Sequence, residues 1–130
     1  MNQHIETLDN IFSEYVRLRD ADQYGMIRCI SCGKRVHWKQ ADAGHYVGRA
    51  NMNLRYDGNN VNAQCVICNR FRSGNLKKYK RGLIIKYGRF IIDYLENKKS
   101  EVRQFSDYEI ELLSSYYRKQ VRLIKDKKGL

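Results

Sequence analysis

The four cysteines constrain the fold of this chain most, because they form two C-x-x-C pairs: Cys29 with Cys32, and Cys65 with Cys68. Two such pairs are the usual way to present four thiolates to a tetrahedral zinc ion, and the glycine after Cys32 allows the tight turn that a knuckle needs. A redox site is disfavoured because the sequence shows no βαβ pattern. A site filled by four sulfur ligands keeps no open position, so the predicted zinc is structural.

The spacing between the two pairs adds a second constraint. The pairs are 32 residues apart, whereas a plain zinc ribbon has about 15–20 residues between them. We therefore expect the zinc to hold the two ends of an inserted element. The N-terminus lacks a secretory signal, so we expect a cytoplasmic location, whose reducing conditions argue against disulfides.

The charge balance predicts an acidic partner. The chain carries 25 Lys and Arg against 14 Asp and Glu, a formal net charge of +11. Such an excess does not specify a fold, but nucleic acid is the commonest partner of a strongly basic protein. No apolar run is long enough to cross a bilayer, so a membrane partner is not expected.

Hydrophobic periodicity predicts one α+β domain over residues 1–130, a size that can bury a modest core. An N-terminal helix is predicted over 5–20. A zinc-containing core follows over 26–75, with a strand, a knuckle and a second strand up to Val36 and a further strand around His45. A basic helical region over 75–130 completes the domain.

Helix-end signals divide the C-terminal region. Asn75 is predicted to cap a helix that stops at Gly88, and a short helix is predicted over 89–97. The sequence Ser106-x-x-Glu109 is a capping box, which opens a helix running to about Lys127.

One histidine stands out by its surroundings. His4 lies near the chain end, and His37 sits on a predicted strand, where packing or phosphate contact explains it better than catalysis. His45 has Asp42 three residues before it and Arg49 four residues after it. Histidine is also the side chain whose pKa is naturally close to neutrality, which suits it to proton transfer.

The arrangement around His45 resembles the HNH motif of the ββα-metal (His-Me finger) nucleases in its zinc-containing form. The matching residues are Cys29-x-x-Cys32, His45, Asn60 five residues before Cys65, and Asn69 directly after Cys68. The fuller strings, from Trp38 to Tyr46 and from Asn60 to Leu76, are similar to the phage lambda NinG (Rap) family of recombination nucleases. The resemblance covers about Ile5 to Gly88.

The resemblance implies a fold and roles for individual residues. It implies a small ββα-metal (HNH-like) hairpin with a four-cysteine zinc site, flanked by N-terminal and C-terminal helices. His45 would be the general base, Asn69 a ligand of a catalytic Mg²⁺ or Mn²⁺, and Asn60 the residue that organises the loop and supports His45. These roles fit phosphodiester hydrolysis, which needs a base for water and a cation for the phosphate.

The sequence departs from the family pattern at one position. Many HNH enzymes carry a metal-binding Asp or His directly before the base, but this chain has Gly44 there. Asp42 is the nearest carboxylate and becomes the candidate second ligand, since Mg²⁺ prefers oxygen donors. On a regular strand Asp42 and His45 would face opposite sides, so this assignment predicts a bulge at Gly44. The alternative is that Asp42 is a turn or capping residue.

A segment that contains basic residues but no acidic ones is the predicted DNA-binding surface. No acidic residue occurs from Gly58 to Ile92, and Phe71 and Tyr79 are interleaved with the cations. This pattern favours contact with the phosphate backbone and little sequence readout. The residues predicted to bind DNA are Arg49, Arg70, Arg72, Lys77, Lys78, Lys80 and Arg81. A second basic cluster, from Arg118 to Lys128, is either a favourable helix C-terminus or a second DNA contact.

Three functions are compatible with these features. The first is a metal-dependent, structure-specific DNA endonuclease, and the resemblance implies Holliday junctions and D-loops of phage recombination as its substrates. The alternative is a non-catalytic, zinc-containing module that binds DNA junctions. A zinc-mediated protein-interaction module is disfavoured by the charge of +11. The expected partner is therefore branched or single-strand-containing DNA, and the long C-terminal helix leaves a homodimer open.

Overall fold

Two long helices, one from each end of the chain, pack against each other in the computed structural model, which describes residues 2–130. Helix α1 spans Gln3–Asp20 and begins where the Asn2 side chain accepts a hydrogen bond from the His4 amide. Helix α5 spans Asp107–Lys128 and begins at the predicted capping box, both hydrogen bonds of which are present. The apolar stripe of each helix faces the other, as amphipathic periodicity requires.

Four short strands form two separate antiparallel hairpins. Strand β1 (Met26–Arg28) pairs with β2 (Arg35–His37), and β3 (Ala41–His45) pairs with β4 (Val61–Cys65). A short 3₁₀ turn, Trp38–Gln40, joins β2 to β3. A two-stranded sheet is marginal on its own, so both hairpins depend on tertiary packing. Among the contacts that join them, the Ile30 amide donates to the Ala63 carbonyl at 3.0 Å.

The hairpins and the two long helices share a layered core. One face of the β3–β4 hairpin packs on α1, where Val61 and Ala63 meet its apolar side chains. The core residues of this layer are Leu8, Phe12, Val16, Leu18, Ile27, Trp38, Ala63, Ile110 and Val121. This packing fixes the hairpin that carries His45 against a long, well-capped helix.

Three further helices cover the other side of that hairpin. They are α2 (Met52–Arg55), α3 (Leu76–Tyr87) and α4 (Phe90–Lys99), and they share a second apolar cluster. Helix α3 ends at Gly88, whose φ of +101° is favourable only for glycine. A short π-helical segment, Ile67–Phe71, connects β4 to this helical region.

The predicted fold class is confirmed, with small hairpins and a four-cysteine cluster between terminal helices. The prediction that the side chain of Asn75 caps α3 is wrong. Asn75 precedes α3 as expected, but its backbone is left-handed (φ +46°) and its side chain makes no capping hydrogen bond. The side-chain amide of Asn75 contacts the Cys68 sulfur at 3.3 Å instead. No helix within residues 2–130 is long and apolar enough to cross a membrane.

Candidate metal centre and active site

The four cysteines come together between the two hairpins. Their sulfur atoms all lie within 4.8 Å of one another, and the sulfurs of Cys32 and Cys65 are 3.8 Å apart. Zinc–sulfur bonds of about 2.3 Å in a tetrahedron place sulfur atoms about 3.8 Å apart. Burial raises the pKa of the Cys65 thiol to about 12, so bound thiolates there need a compensating cation. Geometry and donor chemistry therefore fit a structural zinc ion.

The zinc site holds one end of the hairpin that carries His45. Cys65 ends β4 and pairs directly with Ala41, the first residue of β3. His45 lies at the opposite end of the same pair, across from Val61. A metal ion at the cysteines would therefore fix the register of the strand whose last residue is His45. It would also fix the start of the π-helical segment that carries Asn69.

His45 is held in one defined orientation. Its Nε2 lies 2.9 Å from the carbonyl oxygen of Arg55, which can only accept a hydrogen bond, so Nε2 carries the proton. In the neutral ring the other nitrogen, Nδ1, then has a lone pair that can accept a proton. Burial lowers the pKa of His45, which keeps the ring neutral at physiological pH. The side chain is thus arranged as a base.

An ion pair from α1 supports the residue that orients His45. The Arg55 guanidinium donates to the carboxylate of Asp9 through Nε at 3.0 Å and also through Nη2. Tyr56 donates its hydroxyl to the same carboxylate at 2.8 Å. The Arg55 guanidinium also donates to the Arg49 carbonyl, which ties the loop after β3 to helix α1. Sequence reasoning missed Asp9 and Arg55, because nothing in the pattern of α1 separates Asp9 from other surface acids.

Asn60 organises the loop between β3 and β4 but does not touch His45 by a hydrogen bond. Its side chain is fully buried. It accepts from the Val47 amide at 2.8 Å and donates to the carbonyls of Val47 and Leu54. A fully buried side chain cannot meet a substrate, so Asn60 acts by positioning this loop.

Asp42, Asn69 and Arg70 form a second polar group beside His45. The Asp42 carboxylate accepts from the Asn69 amide at 2.9 Å and from the Arg70 guanidinium at two positions, each 2.9 Å. These hydrogen bonds lower the pKa of Asp42 despite its partial burial, so the group is ionised. One carboxylate and one amide oxygen are donors suited to Mg²⁺ or Mn²⁺. Arg70 is largely exposed and occupies the place beside Asp42 that such a cation would share.

The expected bulge at Gly44 is absent. Strands β3 and β4 stay in register from Ala41 to His45, so the prediction of a bulge is wrong. A Cβ atom at position 44 would lie 1.9 Å from the Oε1 of Gln64, and this contact explains why the residue is glycine. A side chain at the position before His45 would have to displace the Gln64 side chain, which is fully buried.

One polar cavity of about 450 Å³ nevertheless brings the candidate residues together. Helix α1 forms one wall of it, and the ends of β3 and the π-helical segment form another. Its lining includes Asp9, Asp42, His45, Arg49, Arg55, Asn69 and Arg70. A base, a carboxylate–amide pair and two exposed arginines share this cavity, an arrangement able to bind a phosphate and activate water.

The structure divides the predicted DNA-binding residues between surfaces. Arg49 and Arg70 line the cavity with His45. Lys78 and Arg81 line a different cleft, beside the first zinc knuckle. Arg72, Lys77 and Lys80 are exposed and line neither.

Comparison with known proteins places these features in a family. The family model described as Bacteriophage Lambda NinG protein matches residues 1–127. The chain is 32% identical to the Protein ninG of Salmonella phage P22 over 126 residues, which is 96% of this chain and 59% of that protein. It is 36% identical to the Protein ninG of Escherichia phage lambda over 100 residues, 76% of this chain and 47% of that protein.

A third relative, the Protein ninG of Escherichia phage 933W, is 37% identical over 76% of this chain and 47% of its own length. The chain thus spans about half the length of the curated relatives it matches. No solved structure is significantly similar to it.

Proposed function

The chain belongs to the bacteriophage lambda NinG family, and from this premise we propose that it is a metal-dependent endonuclease that cuts branched DNA during phage recombination. The orientation of His45 carries the proposal. Its Nε2 is committed to the Arg55 carbonyl, so Nδ1 is the proton acceptor in the cavity shared with Asp42 and Asn69. The proposed substrates are Holliday junctions and D-loops, and the proposed place of action is the cytoplasm of the infected bacterium.

In the proposed reaction, the Nδ1 of His45 takes a proton from a water molecule, and the water oxygen attacks the scissile phosphorus. The bond from phosphorus to the 3′ oxygen breaks, which leaves a 5′-phosphate and, after the 3′ oxygen takes up a proton from solvent, a 3′-hydroxyl. Asp42 and Asn69 would hold a Mg²⁺ or Mn²⁺ ion, which when bound supplies positive charge for the phosphate and the leaving oxygen.

The arginines on the cavity complete this mechanism. Arg70 pairs with Asp42, and its largely exposed guanidinium would turn toward a DNA phosphate if Asp42 held a metal ion instead. Arg49 lines the same cavity, and its Nη1 lies 3.6 Å from the Oδ2 of Asp9. Both side chains would hold the sugar–phosphate backbone beside His45.

The test is a cleavage assay with His45→Ala. Labelled four-way junction, D-loop, linear duplex and single strand are incubated with Mg²⁺ or Mn²⁺, with an EDTA lane for each. We expect branched DNA to be cut, and we expect the variant to lose about 10²–10⁴-fold in rate, the usual contribution of a general base. His4→Ala is the matched control, since His4 is exposed and outside this cavity. Normal cleavage by His45→Ala would refute the base assignment.

A non-catalytic junction-binding module is the second candidate. The observation that favours it is the ion pair of Arg70 with Asp42, which places a guanidinium group where a catalytic metal ion would bind. The same gels separate the two functions. Salt-sensitive band shifts without cleavage under either metal ion would support the binding module.

A further inference from the structure

A second cleft, of about 840 Å³, lies between the first zinc knuckle and helix α3. Strands β1 and β2 with the knuckle form one wall, and α3 forms the other. The basic side chains on the cleft are Arg28, Arg35, Lys78, Arg81 and Lys86. Two carboxylates also line it: Asp22 pairs with Arg35 at 3.1 Å, and Asp20 pairs with Lys86 at 3.0 Å. The mechanism proposed above uses none of these groups.

Three cations of this cleft have no acidic partner. Within residues 2–130, no ion pair involves Arg28, Lys78 or Arg81, and all three are exposed. Arg28 also stands directly opposite Arg35 in the β1–β2 pair. Like charges at directly opposed positions destabilise a strand pair, and the Asp22 carboxylate, which pairs with Arg35, offsets only one of these two charges. The uncompensated charge therefore points to an anionic ligand.

The two walls of the cleft are locked together. Gly82 of α3 lies against the knuckle so closely that a Cβ atom there would be 1.9 Å from the Ile30 carbonyl oxygen. Cys29 and Cys32 belong to the same wall as Ile30, so a metal ion bound by the four cysteines would hold this wall in place. The cleft is thus preformed, and binding an extended polyanion would cost little reorganisation.

This cleft and the cavity of His45 are separate surfaces, because no residue that lines one of them lines the other. Asn62 lines the cleft and pairs with Gly44, the neighbour of His45. Because successive side chains on a strand alternate between faces, His45 points away from the face of Asn62. The face of Asn62 is directed toward α3, since its side chain contacts Lys86 at 2.7 Å. One linear run of basic residues in the sequence therefore serves two separate surfaces.

We propose that the cleft binds the sugar–phosphate backbone of a second arm of a branched DNA, while the first arm lies at the cavity of His45. This inference rests on the proposed function for its substrate and goes beyond it in assigning the preference for branches to Arg28, Lys78 and Arg81. A linear duplex presents a single helix to the protein, whereas a junction presents two arms, one for each of the two surfaces. Contacts of this kind recognise the shape of the DNA and not its sequence.

The test compares two triple variants of the full chain that remove equal charge. The cleft variant is Arg28→Gln, Lys78→Gln and Arg81→Gln, and the control is Lys39→Gln, Arg89→Gln and Lys99→Gln, three exposed positions that line neither the cleft nor the cavity of His45. Binding to a four-way junction and to a linear duplex is measured by fluorescence anisotropy without added Mg²⁺ or Mn²⁺, and without a chelator, at several salt concentrations. This readout needs no cleavage, so it stands even if the nuclease proposal fails.

We expect the cleft variant to bind the junction about tenfold or more weakly than the unmodified chain, and to bind the duplex within about threefold of it. The slope of log affinity against log salt concentration for the junction should decrease in magnitude by about three, since each lost phosphate contact decreases it by about one. Equal losses on both DNAs, or a junction loss no larger than that of the control variant, would overturn the proposal. So would a chain that binds neither DNA.

A stability readout checks the same site independently of DNA. Arg28→Gln alone removes the repulsion with Arg35, so the melting temperature of this variant should rise above that of the unmodified chain. Such a rise is expected where a residue serves function at a cost in stability. If the triple variant folds poorly, Lys78→Gln with Arg81→Gln changes only exposed positions of α3, and the junction-specific loss should persist. An unchanged preference for the junction in this double variant would contradict the assignment.

Discussion

The proton on Nε2 of His45 decides what this side chain can do. Nε2 donates a hydrogen bond to the Arg55 carbonyl, and the Arg55 guanidinium is in turn held by the carboxylate of Asp9. A ring with Nε2 protonated offers only Nδ1 as a base. The chain of contacts from α1 to the imidazole thus selects one tautomer before any substrate arrives.

Burial of His45 makes the pH dependence of the reaction predictable. Because burial disfavours the charged ring, the pKa of His45 lies below the 6.5 of a free histidine, and the ring must be neutral to act as a base. Single-turnover cleavage should therefore keep more than half of its plateau rate at pH 6.5 and fall only at lower pH. An NMR titration of the His45 ring, assigned with His45→Ala, should give the same midpoint. A midpoint at or above pH 6.5 would contradict this account.

At single positions, the sequence predicts which residues belong to the site, but it does not reveal every contact that explains why a residue type occurs there. The motif leads to Asp42, His45, Asn60 and Asn69, and the structure brings three of these to one cavity with Asn60 buried behind it. The motif also suggests a bulge at Gly44, yet this residue is glycine because Gln64 packs against it from the paired strand. Such a contact depends on strand pairing, which local sequence does not reveal.

At the level of elements, the β3–β4 hairpin is fixed at both ends by different means. The cysteine cluster holds the end at Ala41 and Cys65, and Asn60 ties together the loop beyond His45. Five paired residues per strand would not be stable alone in water. The position of His45 therefore depends on the metal site at the far end of its strand.

Loss of a zinc ligand should unfold the chain rather than only inactivate it. Structural zinc contributes about 10 kcal/mol or more in small zinc domains, comparable with the whole stability of a domain of about 5–15 kcal/mol. We expect Cys65→Ser to show no cooperative thermal transition by circular dichroism and to lack zinc by elemental analysis. Lys34→Ser, an exposed change in the first knuckle, should keep one zinc per chain. A stable, metal-free Cys65→Ser variant would refute the structural role.

Helices are more predictable from this sequence than the segment between β3 and β4. The 3.6-residue periodicity and the capping box place α1 and α5 to within two residues at each end. Helix α2 escapes prediction because its four residues are too short to show periodicity. The buried Asn60 side chain fixes its position instead, by donating to the Leu54 carbonyl at 3.1 Å. Tertiary hydrogen bonds, not propensity, form this part of the site.

Across the whole molecule, the basic residues are arranged in more than one place. Within the continuous run from Gly58 to Ile92, Arg70 lies at the cavity of His45, whereas Lys78, Arg81 and Lys86 lie on the cleft. The sign and the amount of this charge are evident from the sequence. Only the path of the chain, which passes from β4 through the π-helical segment to α3, divides this charge between two surfaces.

Helix α5 has a second apolar stripe that faces away from α1. Ile110 and Val121 are buried against the rest of the fold. On the outer side of the helix, apolar residues recur at helical spacing, and each has half or more of its surface exposed. This set is Tyr108, Leu112, Tyr116 and Leu123. The first turn of α5 is acidic and its last turn is basic. A second copy of α5 in antiparallel orientation would cover the stripe and set each acidic end against a basic one.

We therefore expect the chain to form a homodimer through α5, which would give a four-way junction two sites of cleavage. Light scattering after size exclusion should give twice the 15.5 kDa of one chain for the unmodified protein. Leu112→Glu with Tyr116→Glu should give the monomer mass, because each change buries a carboxylate in the apolar contact. Val102→Glu, at an exposed position outside α5, should leave the dimer intact. A monomeric unmodified chain at every concentration up to about the millimolar range, where even weak specific contacts associate, would contradict this arrangement.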